Sequence, residues 1–368
     1  MRFDNQLRHA LGILDTYTGD LPLHVWLKDF YRANKQMGAR DRRLLSTMVY
    51  GFYRLGHALR DQPAADRMLT GLYLCNDQPI DLLRHFRPDW DPTAPLAEKM
   101  AATGIEVADI FPWKEELSDG IDHEAFCLSF LRQPDLFVRI RPGHEEAVRR
   151  AVAGEFIPPS TLRLPNGYKL EELLTPDNEV VIQDYSSQRI ATFLQSDQPP
   201  TSFWDACAAS GGKTILAHDL FPDMEITVSD IRESILHNLR ARFRTAGIEH
   251  YRSFLIDLSV DSPPERTASA DLVLADVPCT GSGTWSRTPE QLYFFNPQKI
   301  GHYSALQKKI IGHLAPNATL VYCTCSVFKK ENEEIVAHLR KNLRLQRAGV
   351  IAGYHLRADT LFAARFTR

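Results

Sequence analysis

From about residue 186 onward, short apolar runs alternate with helical segments, and run after run closes on a carboxylate. "TSFWDA", "EITVSD", "YRSFLID" and "ADLVLADVP" read as strands that end at Asp205, Asp230, Asp257 and Asp276. A helix from about Lys213 to Phe221 follows the first, and "RESILHNLRARFRTAG" follows the second. A helix around "PQKIGHYSALQKKIIGHL" then leads to strand "ATLVYCTCS", helix "ENEEIVAHLRKN" and a last strand near "DTLFAARF". Such alternation predicts an α/β fold with a parallel, doubly wound sheet. In sheets of this kind the ligand lies beyond the C-terminal ends of the strands, where these acids collect.

The loop after the first strand, "DACAASGGKT" at residues 205–214, ends like a phosphate-binding loop. The triphosphate rule requires glycine five positions before Gly212, and Cys207 stands there. What remains is a strand, a turn of small residues and a helix start, as in sheets that hold nucleotide-like cofactors. A carboxylate at the end of the second strand, Asp230, suits the two hydroxyls of a ribose, and Asp257 suits an exocyclic amine such as that of adenine. Any one of these acids could equally cap a helix, Asp230 included; their recurrence at strand ends is what points to a cofactor. The loop is not G-x-G-x-x-G, so S-adenosyl-L-methionine fits better than a nicotinamide dinucleotide. The cofactor set is Cys207, Ala208, Ala209, Ser210, Gly211, Gly212, Lys213, Asp230, Arg232, Asp257 and Asp276.

Two of the six cysteines follow strands. "ADVPCTGSG" carries Cys279 just past one strand, and "VYCTCS" carries Cys325 just past a later one, its expected sheet neighbour. Two thiols at one sheet edge, facing a methyl donor, suit covalent catalysis. Carbon 5 of cytosine is a poor nucleophile until a thiolate adds to carbon 6 and turns the ring into an enamine. A second thiol can assist the elimination that follows, and Asp276 can hydrogen-bond the amidine edge of the ring. Lys213 and the helix after Cys325 would favour a thiolate. Cys75, Cys127, Cys207 and Cys323 read as small buried hydrophobes. No C-x-x-C spacing pairs with a second ligand pair, so no metal is expected.

Residues 1–135 read as a helical domain. "ARDRRLLSTMVYGFYRLGHAL" sets Leu44, Leu45, Met48, Val49 and Phe52 at helical spacing, with Arg40, Arg42, Arg43 and Arg54 around them. The first sixty residues hold ten Lys or Arg against five Asp or Glu, an excess that suits either a solvated face or RNA phosphate. Residues 136–185 read as a small α/β unit: strand "DLFVRIRP", helix "HEEAVRRAVAG", a loop through "IPPS" and "LPNG", and strand "EVVIQDYSS". There Arg139 and Arg141 share one strand face and form a candidate basic platform. A net charge of −3 gives no global basic signature, so any nucleic-acid surface must be local. The N-terminal stretch lacks a secretory pattern and no apolar run is long enough to span a membrane, so a cytoplasmic setting is expected.

These motifs are similar to those of the RNA cytosine-5 methyltransferases of the Sun/Fmu/RsmB type. "DACAASGGKT" resembles their cofactor loop, with Ser210 where proline is usual. "LADVPCTGSGTWSRTPE" and "LVYCTCSVFKKENEEIV" resemble their two cysteine motifs, with Cys323 in place of a usual serine. "VIQDYSSQ" resembles the segment entering their catalytic domain, and "ANKQMGARDRRLLSTMVYGFYR" resembles their helical N-terminal domain. "LAPNATL" departs by lacking paired glycines. The resemblance implies a Rossmann-like S-adenosyl-L-methionine-dependent methyltransferase domain over 186–368, an RRM-like connecting domain over 136–185 and a helical RNA-binding domain over 1–135. It assigns Cys325 as the nucleophile and Cys279 to product release, which spacing alone leaves open, and it places Lys213 in the active site. The expected partner is ribosomal RNA, with transfer RNA as the alternative, bound by a monomer through Arg40, Arg42, Arg43, Arg139, Arg141 and Arg287. A non-catalytic RNA-binding assembly factor is the other class of reading, and intact Cys279, Cys325 and Asp276 argue against it.

Overall fold

A computed structural model describes residues 2–314 and 319–368, so the stretch of "LAPNATL" at 315–318 lies outside the described residues. The chain forms two compact units. The first comprises Met1–Glu115, Asp122–Gln133 and Thr284–Asn296; the second comprises Glu116–Ile121, Pro134–Gly283 and Pro297–Arg368.

The first unit is helical. Its core gathers Ala10 and Ile13 from helix Arg2–Thr16 with Tyr17 just past its end, Leu45, Met48, Val49 and Phe52 from helix Ala39–Arg54, and Met68, Leu69 and Leu72 from helix Ala64–Leu74. The last two helices cross backbone to backbone: a Cβ on Gly71 would stand 2.2 Å from the Gly51 carbonyl oxygen. The segment Thr284–Asn296 enters this unit from between two stretches of the second, and its buried Glu290 accepts the Leu23 N–H at the start of helix Leu23–Ala33.

The second unit holds two sheets. The smaller is antiparallel and contains β1 (Leu136–Ile140), β2 (Glu155–Ile157), β3 (Thr161–Leu164) and β4 (Val180–Ile182), ordered β2-β3-β1-β4. Val138, Ile140, Leu162, Leu164 and Val180 pack with Val148 and Val152 of the intervening helix region. β2 and β3 occupy the stretch read from sequence as a loop. β4 stops at Ile182, because Asp184 accepts the Ser186 N–H and caps helix Tyr185–Arg189.

The larger sheet contains β5 (Ser202–Asp205), β6 (Glu225–Asp230), β7 (Tyr251–Leu255), β8 (Leu272–Asp276), β9 (Thr319–Thr324), β10 (Arg344–Ala352) and β11 (Thr360–Thr367). Their order is β10-β11-β9-β8-β5-β6-β7. β5 through β9 are parallel, whereas β11 runs antiparallel between β9 and β10. The parallel sheet is as expected; the antiparallel edge and β10 itself are additions. Strict alternation of side chains fills both faces. Phe203, Leu272, Leu274 and Val321 face one core, and Trp204, Val273, Ala275, Leu320 and Tyr322 face the other. Among the described residues no helix is long and apolar enough to cross a membrane.

Candidate active site

The strand order reverses between β5 and β8, and the loops beyond these C-terminal ends enclose a cavity of about 490 Å³. Cys207 and Ala209 line it from the loop after β5, Asp230 and Arg232 from β6, Asp257 and Ser259 from beyond β7, and Asp276 and Cys279 from β8. Cys325 lies at the same cavity, and Ile231, Ile256, Leu258, Leu306 and Ile310 supply an apolar wall.

The loop "CAASGG" bends because Ala209 (φ 46°) and Gly211 (φ 81°) are left-handed. Ala209 donates its N–H to Asp230 Oδ2 at 3.0 Å, tying the loop to the end of β6. Asp230 Oδ1 takes the Arg232 N–H at 2.9 Å and its Nε at 3.0 Å. Asp257 accepts the N–H and hydroxyl of Ser259, which hold its carboxyl below the usual range. The other loop residues shape the turn and do not face the cavity: Ala208 is buried, Ser210 accepts from Arg242 through both its carbonyl and hydroxyl oxygens, Gly211 abuts Phe243, and Gly212 opens helix Gly212–Leu220.

A cavity with two acids at the ends of successive strands, an apolar wall between them and a backbone loop at its floor fits an adenosyl group. Asp205, at the end of β5, does not line the cavity and accepts the Thr214 hydroxyl at 2.7 Å from full burial.

β8 and β9 are parallel neighbours, with Asp276 opposite Cys323. The chain continues past both and brings Cys279 Sγ and Cys325 Sγ to 3.3 Å. Cys279 is pushed well above the ordinary thiol range by its hydrogen bond with Cys325 and then by burial. Lys213 Nζ lies 2.6 Å from Asp276 Oδ2; burial works against its charge, but the Asp276 carboxylate prevails and raises its pKa. Cys323, read as a buried hydrophobe, is fully buried and also donates to Asp276 Oδ1 at 3.4 Å.

Gly283 takes the loop of Cys279 past β11: its N–H donates to the Cys325 carbonyl oxygen at 2.8 Å, and a Cβ there would lie 1.8 Å from the Thr360 oxygen. Glu331 was missed from sequence. It is buried and accepts from both Thr280 and Ser326, the residues that follow the two cysteines. Its signal was present as an acid inside the motif "KKENEEIV", but a run of charges there reads as a solvated helix start.

The candidate RNA residues divide. Arg40 and Arg43 are exposed. Arg42 donates to the Met37 carbonyl, and Arg287 lies half-buried within the Thr284–Asn296 segment. Arg139 and Arg141 form no exposed platform. Both are buried against Asp219, at 2.5 and 2.8 Å. Burial would raise the Asp219 carboxyl, yet hydrogen bonds from His218, Arg141 and Arg139 hold it well below the carboxylate range. Their strand face turns inward because β1 is covered on both sides, one by its own small core and the other by the helix that carries Asp219.

Residues 191–354 match the family described as 16S rRNA methyltransferase RsmB/F. The chain is 28% identical over 330 residues to a probable ribosomal RNA small subunit methyltransferase B of Synechocystis, across 82% of this chain and 73% of that one. It is 30% identical over 165 residues to the ribosomal RNA small subunit methyltransferase B of Klebsiella pneumoniae, across 43% of this chain but only 37% of that protein. In fold it is similar to the crystal structure of PH0851, with a TM-score of 0.65, 19% identity and 93% of each chain covered. A methyltransferase homolog protein from Pyrococcus horikoshii gives a TM-score of 0.55 at 20% identity, covering 69% of this chain and 92% of that one. Residues 191–354 are thus similar in sequence to methyltransferases of the RsmB/F type, and the cavity they build fits S-adenosyl-L-methionine as cofactor.

Proposed function

We propose that this protein methylates carbon 5 of a cytosine in ribosomal RNA through a covalent cysteine adduct. The observation that carries this reading is the 3.3 Å approach of Cys279 Sγ to Cys325 Sγ at the cofactor cavity. A thiol pair at the mouth of a methyl-donor site has no use in transfer to an already strong nucleophile; it suits a ring carbon that must first be activated.

S-adenosyl-L-methionine supplies the methyl group when bound. Cys325 Sγ, as thiolate, adds to carbon 6, and the electron pair of the 5,6 double bond becomes available at carbon 5. Asp276, with Lys213 beside it, lies where it can bond the amidine edge and steady the charge that moves there. After methylation the carbon-5 proton passes to a water molecule, its bonding pair re-forms the 5,6 double bond, and the sulfur–carbon-6 pair leaves with Cys325. Cys279 carries a proton at neutral pH, in keeping with its raised pKa, and can share it with the departing Cys325 sulfur. The family resemblance, rather than the contact itself, assigns Cys325 as the nucleophile, since either sulfur can donate in that contact. The helical residues, with Arg40 and Arg43 exposed on one helix, would supply RNA contacts.

The test uses substrate RNA and labelled cofactor with each cysteine variant, read on a denaturing gel. Cys325→Ala should form no adduct. Cys279→Ala should methylate once and accumulate a protein–RNA species. The reverse pattern would exchange the roles, and full turnover by both variants would remove thiol catalysis.

A further inference from the structure

Strand register fixes Asp276 against Cys323, but both reactive sulfurs lie beyond the last paired residues, on separate loops. One carboxylate joins those loops. Thr280, next to Cys279, donates its N–H to Glu331 Oε2 at 2.9 Å and its hydroxyl to Oε1 at 2.6 Å. Ser326, next to Cys325, donates its hydroxyl to the same Oε1 at 2.6 Å. Gln307 Nε2 completes the set, donating to Oε2 at 3.0 Å and to the Pro278 carbonyl oxygen at 3.0 Å. Glu331 is fully buried, and its neighbour Asn332 accepts from the Thr324 hydroxyl and donates to the Ser326 carbonyl oxygen, so the carboxylate has a rigid base.

We propose that Glu331 is the positioning residue that holds Cys279 and Cys325 in register, so that departure of the product from Cys325 depends on it; this rests on the thiol-catalysis reading above. A carboxylate suits the task because it only accepts, and each of its oxygens here receives two donors. No neutral side chain of the same length offers four acceptor sites. In Glu331→Gln an amide NH₂ replaces one oxygen and faces donors, so one loop must withdraw. Adduct formation needs Cys325 alone, whereas release needs the two sulfurs together. The variant should therefore be impaired at release more than at addition.

Two measurements separate this from a merely structural role. The first needs no RNA: diamide takes two electrons and two protons from the thiols, closing a Cys279–Cys325 disulfide while its azo bond becomes a hydrazine. The rate is followed by peptide mass spectrometry on the full chain. Glu331→Gln should slow it about tenfold or more at unchanged alkylation of Cys75, since proximity sets the rate of thiol exchange chemistry. The second is the denaturing-gel assay, where the variant should form adduct within about twofold of the natural rate but release it at least about fivefold more slowly, accumulating the methylated adduct. Cross-linking and release both unchanged in folded Glu331→Gln would overturn the proposal, as would equal losses in addition and release. If Glu331→Gln does not fold, Thr280→Val and Ser326→Ala, each removing one hydroxyl from the carboxylate, are held to the same two outcomes. If the natural protein forms no RNA adduct, the thiol-catalysis reading fails, and the cross-linking rate alone decides whether Glu331 sets the register.

Discussion

Lys213 Nζ lies 2.6 Å from Asp276 Oδ2, joining the first turn of the helix after β5 to the end of β8. The contact places a cation at the cavity edge without giving it to the cofactor loop, which is held instead by Asp230 and Arg242. Lys213→Met should lower turnover about a hundredfold or more, the usual span for a positioned proton-bearing group. Cofactor affinity, measured by calorimetry, should stay within about threefold if, as proposed, the ammonium acts on the reacting ring. A large loss of cofactor binding with normal single turnover would move Lys213 to the cofactor.

Asp230 lines the cavity while its Oδ2 accepts the Ala209 N–H and its Oδ1 accepts from Arg232. Asp230→Ala should weaken S-adenosyl-L-methionine about ten- to a hundredfold, the size of one or two hydrogen bonds to a charged group. Unchanged calorimetric affinity would place the ribose elsewhere.

The two arginine groups should behave differently in RNA binding. Neutralising Arg40 and Arg43, both exposed, should flatten the plot of log affinity against log salt by about 0.7–0.9 per lost phosphate contact. Arg139→Gln leaves the salt slope alone and instead lowers the unfolding midpoint, because Asp219 then keeps a buried charge with one partner fewer. An unchanged slope for the first pair would make that face a solvated surface only.

The Asp205 carboxyl is pushed up to about 7 by burial, with the Thr214 hydrogen bond opposing. The folded state therefore holds this proton more tightly than the unfolded chain, whose value is about 3.9. The associated stability is fully present below about pH 4 and is lost as pH rises through about 7, levelling off above it. Asp205→Asn cannot titrate and should show a flatter decline of its thermal midpoint between about pH 5 and pH 8 than the natural protein. Parallel curves for the two would mean that the carboxylate stays charged throughout.

Much of the cavity could be read from sequence because its parts obey local rules. Strands that end in an acid fix where Asp230 and Asp276 emerge, Asp257 follows two residues past the end of β7, and strand alternation made Cys279 and Cys325 neighbours. What escaped notice depends on partners far along the chain. Arg139 and Arg141 alternate with apolar residues as a surface strand would, and only the tertiary position of Asp219 turns them inward. Glu331 sits among charges that look solvated, and its burial follows from the meeting of two loops. β10 carries Arg344, Gln346 and Arg347 on an exposed edge, so its pattern lacks the apolar rhythm that marks the central strands. The segment Thr284–Asn296 gives no local sign that it joins the helical unit.

β11 pairs with β9, and at Gly283 the loop that carries Cys279 runs directly against the Thr360 carbonyl. A ribosome makes these pieces in the order β8, β9, β10, β11, so the loop has nothing to lie against until the hairpin partner has emerged. The thiol pair is thus completed late in translation. A chain stopped before β11 therefore lacks the contact that holds the Cys279 loop at Gly283 against the sheet.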